Sequence, residues 1–220
     1  WQELQKTIPL HQAILDMVVK NLPNPIEAQK YRVPKIWKGE LESEIGQAML
    51  KCDDNGPTVL CFTSAQMDPH AGLIATGRIF SGTIQEGDQI YLVGAKKDYR
   101  VQQVSMYMGA FREIVNRIVA GNIAALLGLD LARAGETLID FPHRDAMIPF
   151  ERIKYVSEPV ITIAIEPKHP KDLPRLVDIM HRLAIEDPNL VTTISKETGE
   201  YLLSGMGELH LEIAVKFLKD

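Results

Sequence analysis

Two glycine-bearing passages have a spacing that could hold a phosphate. Gly72-Leu-Ile-Ala-Thr-Gly77 follows the G-x-x-x-x-G rule of a nucleotide-binding loop, in which backbone amides cradle phosphates, a Lys reaches the β/γ-phosphates and a hydroxyl holds magnesium. Arg78 and Ile79 stand where Lys and Ser/Thr are needed. Ile79 cannot ligate a cation, so the passage reads as a strand with two glycines. Gly205-Met206-Gly207 precedes a helical pattern, and amides at a helix N-terminus attract anions. Two glycines fall short of a full loop. They either present donors to an anion such as RNA phosphate or let a strand cross closely to a helix.

Lysines and arginines form two further candidates. Lys96, Lys97 and Arg100 cluster beside a predicted hairpin, and Lys168, Lys171, Arg175 and Arg182 give a predicted helix a basic side, offset by Asp172, Asp178 and Glu186. Such faces are either solvated or positioned against phosphates. Asp53-Asp-Asn-Gly56 is turn chemistry. His169, His181 and His210 have no Ser or Cys at a spacing suggesting a triad; His210, between Leu209 and Leu211, reads as a packed, hydrogen-bonded imidazole. Cys52 and Cys61 form no metal-binding pattern, and Cys61, in an apolar run, reads as an inert thiol. We therefore expect no catalytic constellation and no metal site.

Several elements must carry these residues. Leu10, Ile14, Leu15, Met17 and Val18 predict an amphipathic helix ending near Asn21. The three prolines between Leu22 and Pro34 predict an extended connector. Between Thr58 and Asp140, short β-branched and aromatic runs predict strands at Thr58–Gln66, Gly72–Ser81, Asp88–Val93, Tyr99–Met108, Ile123–Leu127 and Glu136–Ile139. Turns fall at Glu86-Gly87-Asp88 and Gly121-Asn122. About six short strands suggest a small closed barrel, because closure hides edge amides.

After Pro142 the pattern changes. Pro149 and Pro159 bracket a linker, and a second unit follows: a strand at Val160–Ile165, a helix along Leu173, Leu176, Val177, Met180, Leu183 and Ala184, and a hairpin of Val191–Ser195 with Tyr201–Leu203. A last helix spans Glu208–Lys219 with Leu209, Ile213 and Phe217 on one face. The order β-α-β-β-α is a ferredoxin-like unit lacking its last strand. The fold class is thus multidomain, an all-β barrel plus an α+β unit, preceded by a helical and extended segment. The expected divisions are 1–56, 57–141, a linker over 142–158 containing a hinge, and 159–220.

With 24 basic and 29 acidic residues the formal charge is −5, which argues against a broad nucleic-acid-gripping face and confines any RNA contact to local clusters. No apolar run approaches the ~20 residues needed to span a bilayer, so a cytoplasmic location is expected. The opening Trp1 and a terminal helix without a stop signal predict a segment of a longer protein.

Three long blocks stand in a fixed order: Asn24-Pro-Ile-Glu-Ala-Gln-Lys-Tyr-Arg-Val-Pro-Lys-Ile-Trp37, Asp68-Pro-His-Ala-Gly72 through Gly135-Glu-Thr137, and Ser204-Gly-Met-Gly-Glu-Leu-His-Leu-Glu212. With them the chain resembles the ribosomal translocase family of elongation factor 2 and elongation factor G. The compact Leu92-Val-Gly-Ala-Lys-Lys97 segment resembles the archaeal type. The resemblance implies the end of a GTPase domain, a translation-factor-type barrel as domain II and most of domain III. It implies a parent that uses GTP and magnesium to move tRNA and mRNA through the ribosome. This chain, without a phosphate-binding loop, is expected neither to bind nor to hydrolyse GTP. It would dock on ribosomal RNA and proteins, meet the tRNA–mRNA complex indirectly and relay between the other domains. The rival reading is a stand-alone RNA- or protein-binding adaptor built from the same modules.

Overall fold

The computed structural model describes residues 9–68, 70–109, 111–151, 159–195 and 198–219. Helix α1 (Leu10–Asn21) ends with Leu22 N–H donating to Val18 O. The proline-bearing stretch after it is helical rather than extended: α2 spans Pro25–Ile36. Its start explains the difference. Asn24 caps the helix, its Oδ1 accepting from Glu27 N–H at 2.9 Å. Pro25 sits in the first turn, where the missing N–H has no intrahelical partner to lose. Pro34 lies in the last turn, so it removes only one bond near the end. A short helix that periodicity did not foresee, α3 (Glu44–Lys51), is capped by Ser43 and closed by Cys52 in the left-handed region, φ 54°.

Ten strands follow: β1 (Val59–Asp68), β2 (Gly72–Ser81), β3 (Thr83–Gln85), β4 (Gln89–Leu92), β5 (Lys97–Arg100), β6 (Gln103–Met108), β7 (Phe111–Ile114), β8 (Arg117–Val119), β9 (Ile123–Leu127) and β10 (Thr137–Asp140). Eight form one antiparallel sheet in the order β5-β4-β10-β1-β2-β9-β6-β7, and β3 pairs with β8. The predicted Tyr99–Met108 strand is divided. Val101 N–H donates to Asp88 O and Gln102 N–H to Leu127 O, which turns the chain between β5 and β6. Strands β3, β7 and β8 are too short to leave a period-two signal. Ile90 and Leu92 from one end of the sheet and Val104 from the other share one core with Leu60, Phe62, Ile79 and Leu126, so the sheet curls upon itself.

A second core lies on the outer side, where Val33, Trp37, Ile45 and Met49 meet Val59, Phe80, Ile139, Met147 and Phe150. Each such side chain contributes roughly 1.5–3 kcal/mol of apolar burial. Gln29, buried between α2 and the sheet, donates Nε2 to Phe80 O at 2.8 Å and also to Met49 O. The first half of the predicted linker is fastened here. Trp37 Nε1 donates to Ile148 O at 2.7 Å, and Glu151 N–H donates to Ile36 O. Residues 152–158 of that linker lie outside the described residues.

The last unit contains β11 (Ile161–Ile165), α4 (Leu173–Glu186), β12 (Val191–Ile194), β13 (Tyr201–Gly205) and α5 (Glu208–Lys219). Its strands pair antiparallel in the order β11-β13-β12. Leu183, Leu190, Leu203, Leu211 and Ala214 form its core. The predicted inner face of α5 is corrected: Leu209, Ile213 and Phe217 are 70%, 50% and 63% exposed. The helix carries apolar residues on two sides, and the side bearing Leu211, Ala214 and Leu218 is the one that meets the sheet. At its far end α4 reaches the first module, and Ile185 is buried in the sheet's main core.

Candidate functional site

Gly72–Ile79 lies within β2, hydrogen-bonded to β1 on one side and β9 on the other. A phosphate loop requires a strand opening into a helix N-terminus; here the amides belong to ladders, and the residues do not fit a nucleotide's phosphates. Gly77 has a packing role. A Cβ there would lie 2.4 Å from Cys61 O and 2.8 Å from Phe62 Cα, beside the register shift between Phe62 and Ser64. Asp53–Gly56 is a turn, with Asn55 N–H donating to Asp53 Oδ1 at 2.9 Å. Among the described residues there is no cluster of His, Cys, Asp and Glu able to hold a metal ion, and no helix is long and apolar enough to cross a membrane.

The first basic cluster sits on the β4–β5 hairpin. Lys96 and Lys97 are exposed at its turn, Lys96 with φ 53°. The Lys97 ammonium lies 4.9 Å from the Tyr99 ring centroid. Arg100 is at the other end of the hairpin, opposite Gln89, where Nε donates to Gly87 O at 2.9 Å. The structure therefore brings Lys96 and Lys97 together and sets Arg100 roughly 10 Å along the strand at 3.3 Å per residue. Glu136 braces the turn, its Oε1 accepting from Gly94 N–H at 2.7 Å and Thr137 N–H at 2.9 Å.

The second cluster surrounds a cleft of about 760 Å³. Ile163, Ile165, Leu176 and Leu218 supply its apolar walls, and Lys168 and Arg175 line it too. Lys171, exposed in the short 3-10 turn Pro170–Asp172, does not line it.

Gly205 and Gly207 separate in role. A Cβ at Gly205 would lie 2.9 Å from Leu211 Cδ2 and 3.1 Å from His210 Nδ1, whereas one at Gly207 would meet nothing within 4 Å. Gly205 thus permits the close strand-to-helix crossing. Between them, Met206 N–H donates to His210 Nδ1 at 3.1 Å, so one donor of the elbow is already engaged. His210 Nε2 lies 2.8 Å from Asp187 Oδ2, giving the packed, hydrogen-bonded imidazole that the sequence suggested.

Both thiols are held above the ordinary cysteine value. Burial pushes the Cys61 thiol up to about 11, with the Glu136 carboxylate adding to the effect. Burial also raises Cys52, against the opposing pull of Arg78. Asp68 is held below the ordinary carboxylate value because Ala71 and His70 N–H groups donate to it, both at 2.8 Å. Sequence reasoning missed the contact between modules, in which Glu186 Oε1 accepts from Met67 N–H at 2.8 Å.

Two modules of this chain match modules of translation elongation factors. Residues 72–139 match the family description "Elongation factor Tu domain 2", and residues 156–220 match "Elongation Factor G, domain III". The chain is 62% identical to elongation factor 2 of Staphylothermus marinus over 99% of its own length, 58% to that of Metallosphaera sedula over 99%, and 57% to that of Sulfurisphaera tokodaii over 100%. It belongs to the elongation factor 2 family and spans 30% of the length of each of these relatives.

Proposed function

We propose that this chain is the domain II and domain III portion of a translational GTPase that drives GTP-dependent movement of tRNA and mRNA on the ribosome. The carrying observation is the pair of modules, in family order, within a chain 57–62% identical to three elongation factor 2 proteins. On this reading GTP and magnesium are held by other parts of the parent, because the residues present here do not fit them. This chain supplies ribosome docking and inter-domain relay, in the cytoplasm. Its partners are ribosomal RNA and proteins and the remaining domains of the same factor, with the tRNA–mRNA complex met indirectly.

The divisions we infer are 1–56, 57–141, 142–158 and 159–220. The curl of the eight-stranded sheet supports a closed translation-factor barrel. The order β11-β13-β12 with two helices supports a ferredoxin-like unit whose fourth strand would lie beside β11. Lys96, Lys97, Arg100, Lys168, Lys171 and Arg175 are proposed as phosphate-positioning residues, with Gly205 and Gly207 at the elbow.

Sedimentation of the chain with ribosomes tests the docking. Binding that weakens with added salt, and weakens further in Lys96→Glu/Lys97→Glu, supports it, since each lost phosphate contact lowers the salt slope by about one. Failure to co-sediment at low salt would overturn docking by this chain and favour the adaptor reading.

A further inference from the structure

Helix α4 ends against electrostatic preference. Its last turn has no basic residue, and Glu186 and Asp187 stand at its C-terminus, where the helix dipole disfavours carboxylates. Both are engaged by donors from elsewhere in the fold.

Glu186 faces the first module. Strand β10 pairs with β1 only over Val59–Cys61, and Phe62 N–H reaches Glu136 O. Farther along, the Met67 amide on this strand is taken by Glu186 Oε1 at 2.8 Å. The preceding residue, Ile185, is buried in the main core of the sheet, so this end of α4 is seated by an apolar plug and a charged hydrogen bond.

Asp187 faces the other way. Its Oδ1 accepts from Asn189 N–H at 2.9 Å, and its Oδ2 meets His210 Nε2 at 2.8 Å. Met206 N–H donates to His210 Nδ1 at 3.1 Å. That nitrogen must therefore be unprotonated, and the Nε2 proton points to Asp187. The β1 amide and the imidazole at the Gly205-Met206-Gly207 elbow are thus held by carboxylates of two residues that are neighbours in sequence at the end of α4.

We propose that Glu186 and Asp187 form a two-sided latch that couples the seating of the α+β unit on the barrel to the conformation of the glycine elbow. This deepens the relay role above and rests on it. When the unit lifts from β1, the end of α4 is released, and Asp187 no longer fixes His210 over the elbow. A change at the elbow is transmitted back by the same residues. Proximity alone does not establish coupling, so the test must read both ends together.

The measurement is amide hydrogen exchange at Met67 and Met206 in the 220-residue chain, for Glu186→Ala, Asp187→Asn and the double variant. Glu186→Ala should speed exchange about tenfold at Met67 and, through the latch, several-fold at Met206. Glu186→Gln, which keeps an acceptor oxygen, should restore both. In the double variant the rates should depart from the product of the single effects by about threefold or more. Strictly local effects that multiply independently would overturn the latch. So would a Met67 amide in the unmodified chain that exchanges as fast as an open loop. No ribosome enters this experiment, so its failure and a failure of docking are separate results.

Discussion

The Glu136 carboxylate bridges two backbones: it accepts from Gly94 N–H at 2.7 Å beyond β4 and from Thr137 N–H at 2.9 Å at the start of β10. The basic turn at Lys96–Lys97 is therefore held from behind by a residue outside the hairpin. Glu136→Ala should cost about 1–3 kcal/mol, because charge-assisted bonds to two amides are lost. Denaturant unfolding would measure it. Glu136→Gln should recover part of the loss, and equal stability of all three proteins would show that the brace contributes nothing.

The same carboxylate faces Cys61, whose thiol is pushed up to about 11 chiefly by burial. The sign follows from the raised value: the stability linked to this thiol is whole below the unfolded-state value and is lost as pH rises through the folded one. Stability should therefore fall between pH 9 and 11, and Cys61→Ala should flatten that fall. Alkylation at pH 8 should leave Cys61 unmodified in the folded chain. Rapid labelling there would contradict the buried-thiol account.

Asp68 has the opposite sign. Its depressed value comes from the His70 and Ala71 amides that cap the β1–β2 turn. The stabilisation is present above the unfolded-state carboxylate value and is lost as pH falls through the folded one. Protection of these two amides, taken relative to their intrinsic exchange at each pH, should fall on acidification, and Asp68→Ala should remove that pH-dependent part of the protection. Protection that responds to neither change would show that Asp68 does not cap this turn.

Three glycines should rank by what surrounds them. Gly77→Ala sets a methyl against backbone at 2.4 Å and 2.8 Å and should cost about 3 kcal/mol or prevent folding. Gly205→Ala meets side-chain atoms at 2.9 Å and 3.1 Å and should cost less. Gly207→Ala should stay within about 0.5 kcal/mol of the parent. Thermal unfolding gives the order, and a severe loss at Gly207 would reveal a backbone demand not visible in the packing.

Phe150 stacks near Phe80, with centroids 4.9 Å apart, and is almost wholly buried. Phe150→Ala should destabilise the chain by about 3–5 kcal/mol, as a core residue does. A change below about 1 kcal/mol, read by the same unfolding measurement, would return the stretch before Glu151 to the status of a loose connector.

Most strands and the last unit were legible because period-two runs and helical stripes are local signals. Misreadings arose where one local rule outweighed another. Pro23, Pro25 and Pro34 read as breakers, although Asn24 and Glu27 carry the residues of a helix start. On α5 the spacing of Leu209, Ile213 and Phe217 was sound, but a second apolar side existed, and only tertiary structure decides which side packs. The basic candidates could be named from composition. That Lys168 and Arg175 line a cleft which Lys171 does not, and that Glu186 meets Met67, depend on which element ends abut, which sequence spacing does not encode.

Helix α1 has no buried residue. At twelve residues it lies at the edge of what persists alone in water, and it lends no buried side chain to the cores described. Helix-breaking substitutions within Leu10–Asn21 would therefore leave the melting of the β-rich module unchanged while removing helical signal from circular dichroism. Among the described residues, the cooperative unit in the thermodynamic sense starts at the Asn24 cap rather than at helix α1.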